Sequence, residues 1–413
     1  MEIAQFDVEA YIQNYSKRNA VNRLLFIADK SPELAENALV LAITRLKQSL
    51  DVSRYEDTVE RLKEISPSNK FAAVDQAWID TVTNKSRITG DKLELELKSY
   101  KNNLIKESIR MGNAELGNFY LSVGDLANAS KYYSRQREYC TTHKHVEDMS
   151  MDMIRVAVLQ SNWSQVESSL SRIDALPSKK DEIAPYLNAV RGLLSLSQGL
   201  FQAAANILLK VPAEAFTKET EYQVGEFTSM PDIGLYIGLC AIATFSRSAL
   251  KDLVDNDGNY KDLSESHPHI RQLLESFIGF DYKRVFATLD AHAFEYKLDI
   301  YASGHVDKLL SKVRENCYVQ YVSGYKTGYL STMAVRFGCD VGTVESEIIE
   351  LIEQDKVKIK LKLDDGTFVA NVDDQRANAY RHAMAVATGY ERNAKLLLVS
   401  INVLSGGLEV NAS

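Results

Sequence analysis

Apolar residues recur at helical spacing along most of this chain, and the period drops to two at one place. From Lys356 to Leu363 polar and apolar positions alternate without a break. Lys356, Lys358, Lys360 and Lys362 fall on one face, and Val357, Ile359, Leu361 and Leu363 on the other, which marks a half-buried strand. Asp364-Asp365-Gly366 is a hairpin turn signal, and Thr367 to Val372 returns as the partner strand. Just upstream, Gly328-Tyr329-Leu330-Ser331 reads as a short extended segment. Ser331 or Thr332 is placed to cap a helix from Met333 to Phe337 that stops at Gly338. Thr343 then caps a longer helix with Val344, Ile348, Leu351 and Ile352 on one face. With the helix that closes between Arg314 and Tyr321, the order is helix, strand, helix, turn, helix and two-stranded wing: a winged-helix module over 314–373.

The rest of the chain is helical, so the fold class is mostly α. An N-terminal helical region over 1–110 holds several amphipathic helices, one begun by Ser31-Pro32-Glu33. It ends in a long helix, Ala77 to Met111, interrupted if anywhere at Gly90. Over 111–225 a repeat is visible. Leu116-Gly117, Tyr120, Gly124, Ala129 and Tyr133 take the offsets of a tetratricopeptide repeat, in which small residues let two helices cross closely. The turn recurs at nearly equal intervals, at Gly124-Asp125, Asn162-Trp163 and Gly199-Leu200. Val166 and Leu170, then Ala204 and Leu208, fill the apolar places after it. Stacked helical pairs of this kind form a solenoid. Helices from Met230-Pro231-Asp232, His267-Pro268-His269, Val285 and Val306 then lead through 226–313 into the winged helix. No Gly/Ser- or Pro-rich linker intervenes.

Beyond the wing, over 374–402, Ala377, Tyr380, Met384, Ala387, Ala394, Leu398 and Ile401 recur at steps of three and four, and only Glu391 interrupts the seam. Such a heptad stripe after a completed domain needs something to pack on. It either folds back on its own winged helix or joins a bundle with other chains, and the bundle is the expectation. The last residues, 403–413, read as a disordered tail.

Composition changes the picture in three ways. A 413-residue chain that is 45% hydrophobic has a substantial core in two or three units, and a net charge of −8 leaves no general basic surface. Cys140, Cys240, Cys317 and Cys339 are far apart and read as buried thiols of a reducing compartment. Met1 to Asp7 has no signal-peptide pattern, and the most apolar run, Gly234 to Phe245, is too short to cross a bilayer. A cytoplasmic and nuclear location with no membrane association is the expectation.

A winged helix invites the question of nucleic acid. The helix that would enter the major groove carries Glu345, Glu347, Glu350 and Glu353 with Asp355 after it, and no Lys or Arg. That helix repels phosphates. The wing lysines are better read as protection of a strand edge. The expected partner is therefore protein rather than nucleic acid. Its candidate contacts are Val357, Ile359, Leu361 and Leu363 on the wing and Tyr380, Met384, Ala387, Leu398 and Ile401 on the terminal helix.

Nothing supports catalysis or a cofactor. There is no phosphate loop, no Gly-x-Gly-x-x-Gly and no Gly-x-Ser-x-Gly. Two His-x-His pairs exist, His143-Lys144-His145 and His267-Pro268-His269. A metalloprotease of the deubiquitinase type needs an aspartate about ten residues on, with an upstream glutamate. Val156 stands in that place after His145, and no aspartate follows His269 before Asp281. Both pairs read as solvent-side or capping histidines, so no catalytic, cofactor or metal residue is expected.

Helical repeats running into a winged helix and a terminal helix resemble the PCI-domain family, shared by scaffold subunits of the proteasome lid, the COP-nine signalosome and a translation initiation factor. Particular segments look closest to its signalosome branch. They are Tyr15-Ser16 with Arg23-Leu24-Leu25-Phe26-Ile27-Ala28-Asp29, Ile105-Lys106-Glu107-Ser108-Ile109-Arg110, and Gly124-Asp125-Leu126 with Tyr133-Ser134-Arg135. Tyr139-Cys140-Thr141 with Lys144-His145-Val146, Asn162-Trp163-Ser164, and Gly238-Leu239-Cys240-Ala241 with Ala243-Thr244-Phe245 add to them. The short N-terminus and compact tail depart from larger members. The resemblance implies a non-catalytic subunit of a complex that removes the ubiquitin-like protein Nedd8 from cullin–RING ligases. It would meet sister subunits through its winged helix and terminal helix, and the ligase would be the substrate of the whole complex. A proteasome-lid scaffold is the alternative, and a winged-helix nucleic-acid adaptor is the alternative of a different class.

Overall fold

Short polar side chains start most of the helices by accepting a hydrogen bond from a backbone N–H of the first turn, which would otherwise be unpaired. In the computed structural model, which describes residues 6–15, 17–177, 182–217, 222–362, 364–370 and 375–407, Asp51, Asp75, Asp125, Asn162, Ser229, Ser246, Asp257 and Asp281 all do so. The chain divides into two compact units, Met1–Cys317 and Tyr318–Ser413.

The first unit begins with α1 (Val8–Ile12), α2 (Lys17–Lys30), α3 (Pro32–Leu46) and α4 (Val52–Ile65). The long helix expected from Ala77 runs as α5 (Gln76–Asn102) and passes Gly90 without interruption. Gly90 is there for packing: a Cβ would lie 3.2 Å from the Phe119 ring. The break falls instead at Leu104, whose φ of 53° lies in the left-handed region, and α6 (Lys106–Val123) follows.

Helical pairs come next: α6 with α7 (Leu126–Arg135), α8 (His143–Leu159) with α9 (Trp163–Asp174), and α10 (Ala184–Ser197) with α11 (Phe201–Leu208). The repeat residues do what their spacing predicts. Ala129, Tyr133, Val166, Ala204 and Leu208 are fully buried. A Cβ on Gly117 would drive into the Tyr133 ring, and one on Gly192 into Leu208, so in both pairs a glycine faces the large residue of its partner helix. Gly124 ends α6 at φ 105°, and Trp163 packs edge-on to Tyr301 at 6.1 Å. Then come α12 (Met230–Thr244), apolar on all sides and buried over most of its length, α13 (Arg247–Asn256), α14 (Gly258–Ser264), α15 (Pro268–Ile278), α16 (Tyr282–Lys297) and α17 (Val306–Ser323), inside which the division between the units falls.

Residues far apart in sequence meet around Arg23, whose side chain is fully buried. It donates to Asp299 Oδ2 at 2.7 Å, to Asp232 Oδ2 at 2.8 Å and to the Tyr11 hydroxyl at 2.5 Å, and lies 4.2 Å over the Tyr15 ring. Burial disfavours the guanidinium charge, but Asp232 and Asp299 more than reverse this and hold the charge on. This network ties α1 and α2 to α12 and to the loop after α16.

The second unit holds β1 (Thr327–Tyr329), α18 (Leu330–Phe337), α19 (Val341–Glu353), β2 (Ile359–Lys362), β3 (Thr367–Ala370) and α20 (Gln375–Ser405). Its antiparallel sheet has the order β1-β3-β2, with Thr327 opposite Val369 and Ile359 opposite Ala370. Leu330, Met333, Phe337, Val344, Ile348, Leu351 and Phe368 form the core. Gly328 is required beside it, because a Cβ would lie 2.5 Å from Phe368 Cζ. This is the winged helix, with three differences of detail. Helix α18 starts at Leu330, and its N-cap Tyr329 makes no side-chain cap hydrogen bond. Asp340, not Thr343, caps α19 by accepting from the Gly342 N–H. The strand begins at Ile359 rather than Lys356, because Asp355 turns left-handed at φ 57° and the Lys356 N–H closes α19 on Leu351 O at 3.0 Å.

Candidate functional site

Two surfaces of the second unit stand out, and in the first unit a cavity of about 830 Å³ opens beside Asp51, Arg54, Arg87, Asp91 and Glu94. The first is the wing. Strand β3 is central, so the outer edge of β2 has no strand partner among the described residues. Lys358, Lys360 and Lys362 are exposed along it. A groove of about 460 Å³ runs beside this edge, lined by Tyr325, Lys326, Lys356, Val357, Lys358 and Ile359 among others. Val357 and Ile359, expected as contact side chains, are each only 7% exposed and point into the module; Leu361 is half-buried and Leu363 lies outside the described residues. The correction follows from the pleat: the apolar face of a half-buried strand is spent on its own core. What β2 offers a neighbour is backbone edge and lysine, not these apolar side chains.

The second surface is α20. Among its described side chains none is buried, and only Ala377, Ala394 and Val403 are even half-buried. Tyr380 is 67% exposed, Met384 52%, Leu398 59% and Ile401 57%, and Ala387 is exposed as well. Val386, Tyr390, Leu396, Leu397, Val399 and Leu404 are exposed too, so the apolar surface is wider than the heptad seam. Periodicity reported only the regular seam; the extra residues were written in the sequence without a period.

Helix α19 presents its acids outward, with Glu350 and Glu353 exposed and Glu345 and Glu347 half-buried. Of the cysteines expected as buried thiols, Cys240 and Cys317 are buried and Cys140 and Cys339 half-buried; burial pushes the Cys240 thiol up to about 12 and raises Cys317 and Cys140 as well.

The expectation of solvent-side or capping histidines holds for position at His267, the N-cap of α15, and fails at His269. His145 does sit in the first turn of α8, 3.7 Å from Glu107. His267 and His269 are half-buried, however, and the His269 ring stacks on His292 at 4.0 Å. Burial first, then the neighbouring His292 and His267, lowers the His269 pKa to about 3. His292 Nδ1 lies 2.9 Å from Glu295 Oε2, and His269, His292 and Glu295 offer ligand atoms all within 4.8 Å of one another. Neither His292 nor Glu295 was singled out in sequence, because nothing local connects α15 to α16.

Comparison with known proteins fits this architecture. The family model described as 26S proteasome subunit RPN7 matches residues 75–253, and the PCI domain model matches 289–372. Helical repeats joined to a PCI winged helix define the class: scaffold-type subunits of large assemblies. COP9 signalosome complex subunit 1 of Emericella nidulans is 33% identical over 99% of this chain and 84% of its own length. Its counterpart in Arabidopsis thaliana is 31% identical over 96% and 90%, and subunit 1b of Drosophila melanogaster 29% over 100% and 88%. Relatives named as a 26S proteasome regulatory subunit match at lower identity. The chain belongs to the COP9 signalosome complex subunit 1 family.

Proposed function

We propose that this chain is a non-catalytic scaffold subunit of a signalosome, in which the edge of β2 and the apolar faces of α20 meet sister subunits. The complex would remove Nedd8 from cullin–RING ligases in the cytoplasm and nucleus, with the ligase held by the assembly rather than by a pocket of this chain. The observation that carries the reading is α20, 31 residues long and studded with exposed Leu, Val, Ile, Tyr and Met. An apolar helix with no core of its own is an element waiting for a bundle. The acidic α19 disfavours a nucleic-acid adaptor.

The test is the double substitution of Met384 and Leu398 by Asp. Each side chain is about half exposed, so packing on a partner supplies roughly half of the ~1.5–3 kcal/mol that full burial contributes, and each substitution forfeits it. Burying two aspartates adds several kcal/mol more. A total of at least ~3 kcal/mol lowers affinity for sister subunits more than about a hundredfold. Affinity purification with mass spectrometry should recover signalosome subunits with the wild type and lose them with the variant, while its circular dichroism and melting stay unchanged. Unfolding of the variant alone would mean that α20 packs on its own domain. Recovery of proteasome-lid subunits instead would overturn the assignment.

A further inference from the structure

We propose that His269, His292 and Glu295 form a binding site for one zinc ion that clamps α15 to α16. His292 and Glu295 stand at i and i+3 on α16, a spacing that puts both on one helix face. His269 comes from the first turn of α15, and its ring lies against that of His292 with 17° between the planes. Their ligand atoms gather within 4.8 Å. Two of them, His292 Nδ1 and Glu295 Oε2, are already 2.9 Å apart. With metal–ligand bonds of ~2.0–2.2 Å, ligand atoms around a tetrahedral zinc lie roughly 3.3 Å from one another. Imidazole lone pairs lie in the ring plane and the two rings are stacked, so one ring must turn before both nitrogens face a common ion.

A second observation points to a ligand. His269 Nε2 is buried and has no hydrogen-bond partner among the described residues. A buried polar nitrogen left unpaired is destabilising and calls for an explanation. An ion shared with His292 and Glu295 supplies it. Two imidazoles and one carboxylate suit zinc; calcium and magnesium prefer all-oxygen sites, and copper(I) prefers sulfur. On binding, the proton between His292 Nδ1 and Glu295 moves to the other ring nitrogen, and zinc takes its place. Water completes the fourth position. His267 holds the N-cap position of α15, with its ring 5.3 Å from that of His269. The ligands come from α15 and α16, so the ion would join these two helices within the first unit.

The test uses the full chain, dialysed against Zn²⁺ and analysed by inductively coupled plasma mass spectrometry, with Co²⁺ as a spectroscopic substitute. One equivalent of zinc should bind and raise the melting temperature. His292→Gln should abolish this, and Glu295→Gln should weaken it at least tenfold, while His143→Gln leaves it intact. The Co²⁺ form should show ligand-field absorption of nitrogen–oxygen ligation and no thiolate charge-transfer band. Should His292→Gln fail to fold, the Co²⁺ spectrum and zinc-dependent melting of the wild type still decide. Equal binding by wild type and Glu295→Gln, a thiolate band, or no stoichiometric binding at micromolar free zinc would each overturn the assignment.

Discussion

Replacing Arg23 by Ala tests the junction between the N-terminal helices and the rest of the first unit. The guanidinium is fully buried and serves two carboxylates that are themselves buried. Removing it does not strip them of donors. Asp232 keeps the Tyr15 hydroxyl at 2.5 Å and the Ser229 N–H at 3.1 Å. Asp299 keeps the Tyr236 hydroxyl at 2.7 Å and the N–H groups of Tyr301 and Ala302 at 2.9 and 2.8 Å. What is lost is charge compensation: one positive charge balances two negative ones, and without it both stand unpaired out of water. Breaking such a buried pair costs about 3–5 kcal/mol. The remaining donors argue for the middle of that range, about 4 kcal/mol, and a fall in melting temperature of roughly 5–8 °C for a unit of this size. Arg23→Lys keeps the charge but cannot reach both carboxylates at once, so its loss should be smaller. Hydrogen exchange read by mass spectrometry gives the location: α1, α2 and the loop after α16 should lose protection together. A drop of less than about 1 °C with unchanged protection in α1 and α2 would refute the reasoning.

Three further outcomes follow from the geometry. Gly117→Ala, which forces a methyl against the Tyr133 ring, and Gly192→Ala, which forces one against the buried Leu208, should each destabilise by about 1–3 kcal/mol in urea unfolding; a neutral Gly117→Ala would show that the helices are not in close contact. Ile359→Asp buries a charge in the wing and should unfold it, whereas Lys360→Glu should change stability by no more than about 0.5 kcal/mol and act only on assembly; equal melting of the two variants would show that the strand faces are assigned wrongly. Duplex DNA should not be retained at physiological salt in gel-shift measurements, because α19 presents carboxylates; tight, sequence-selective retention would overturn the reading of the winged helix as a protein module.

The sequence by itself determined what depends on neighbours within a few residues. Helical and strand periods, the Gly338 stop and the Asp364–Gly366 turn are all local, so the helix-rich order, the repeat and the wing were legible, whereas the caps expected at Ser331 or Thr332 and at Thr343 fell elsewhere. The apolar seam of α20 was legible for the same reason, and its exposure made it a surface rather than a core. Only the tertiary structure decided which faces were already used. Val357 and Ile359 look like available apolar residues until β2 is laid on its own core. Gly90 looks like a helix break until Phe119 is found against it. Arg23 meets Asp232 and Asp299, and His269 meets His292 and Glu295, because separate helices bring them together. No periodicity records such a meeting, since its energy lies in pairing charges and lone pairs across long stretches of chain.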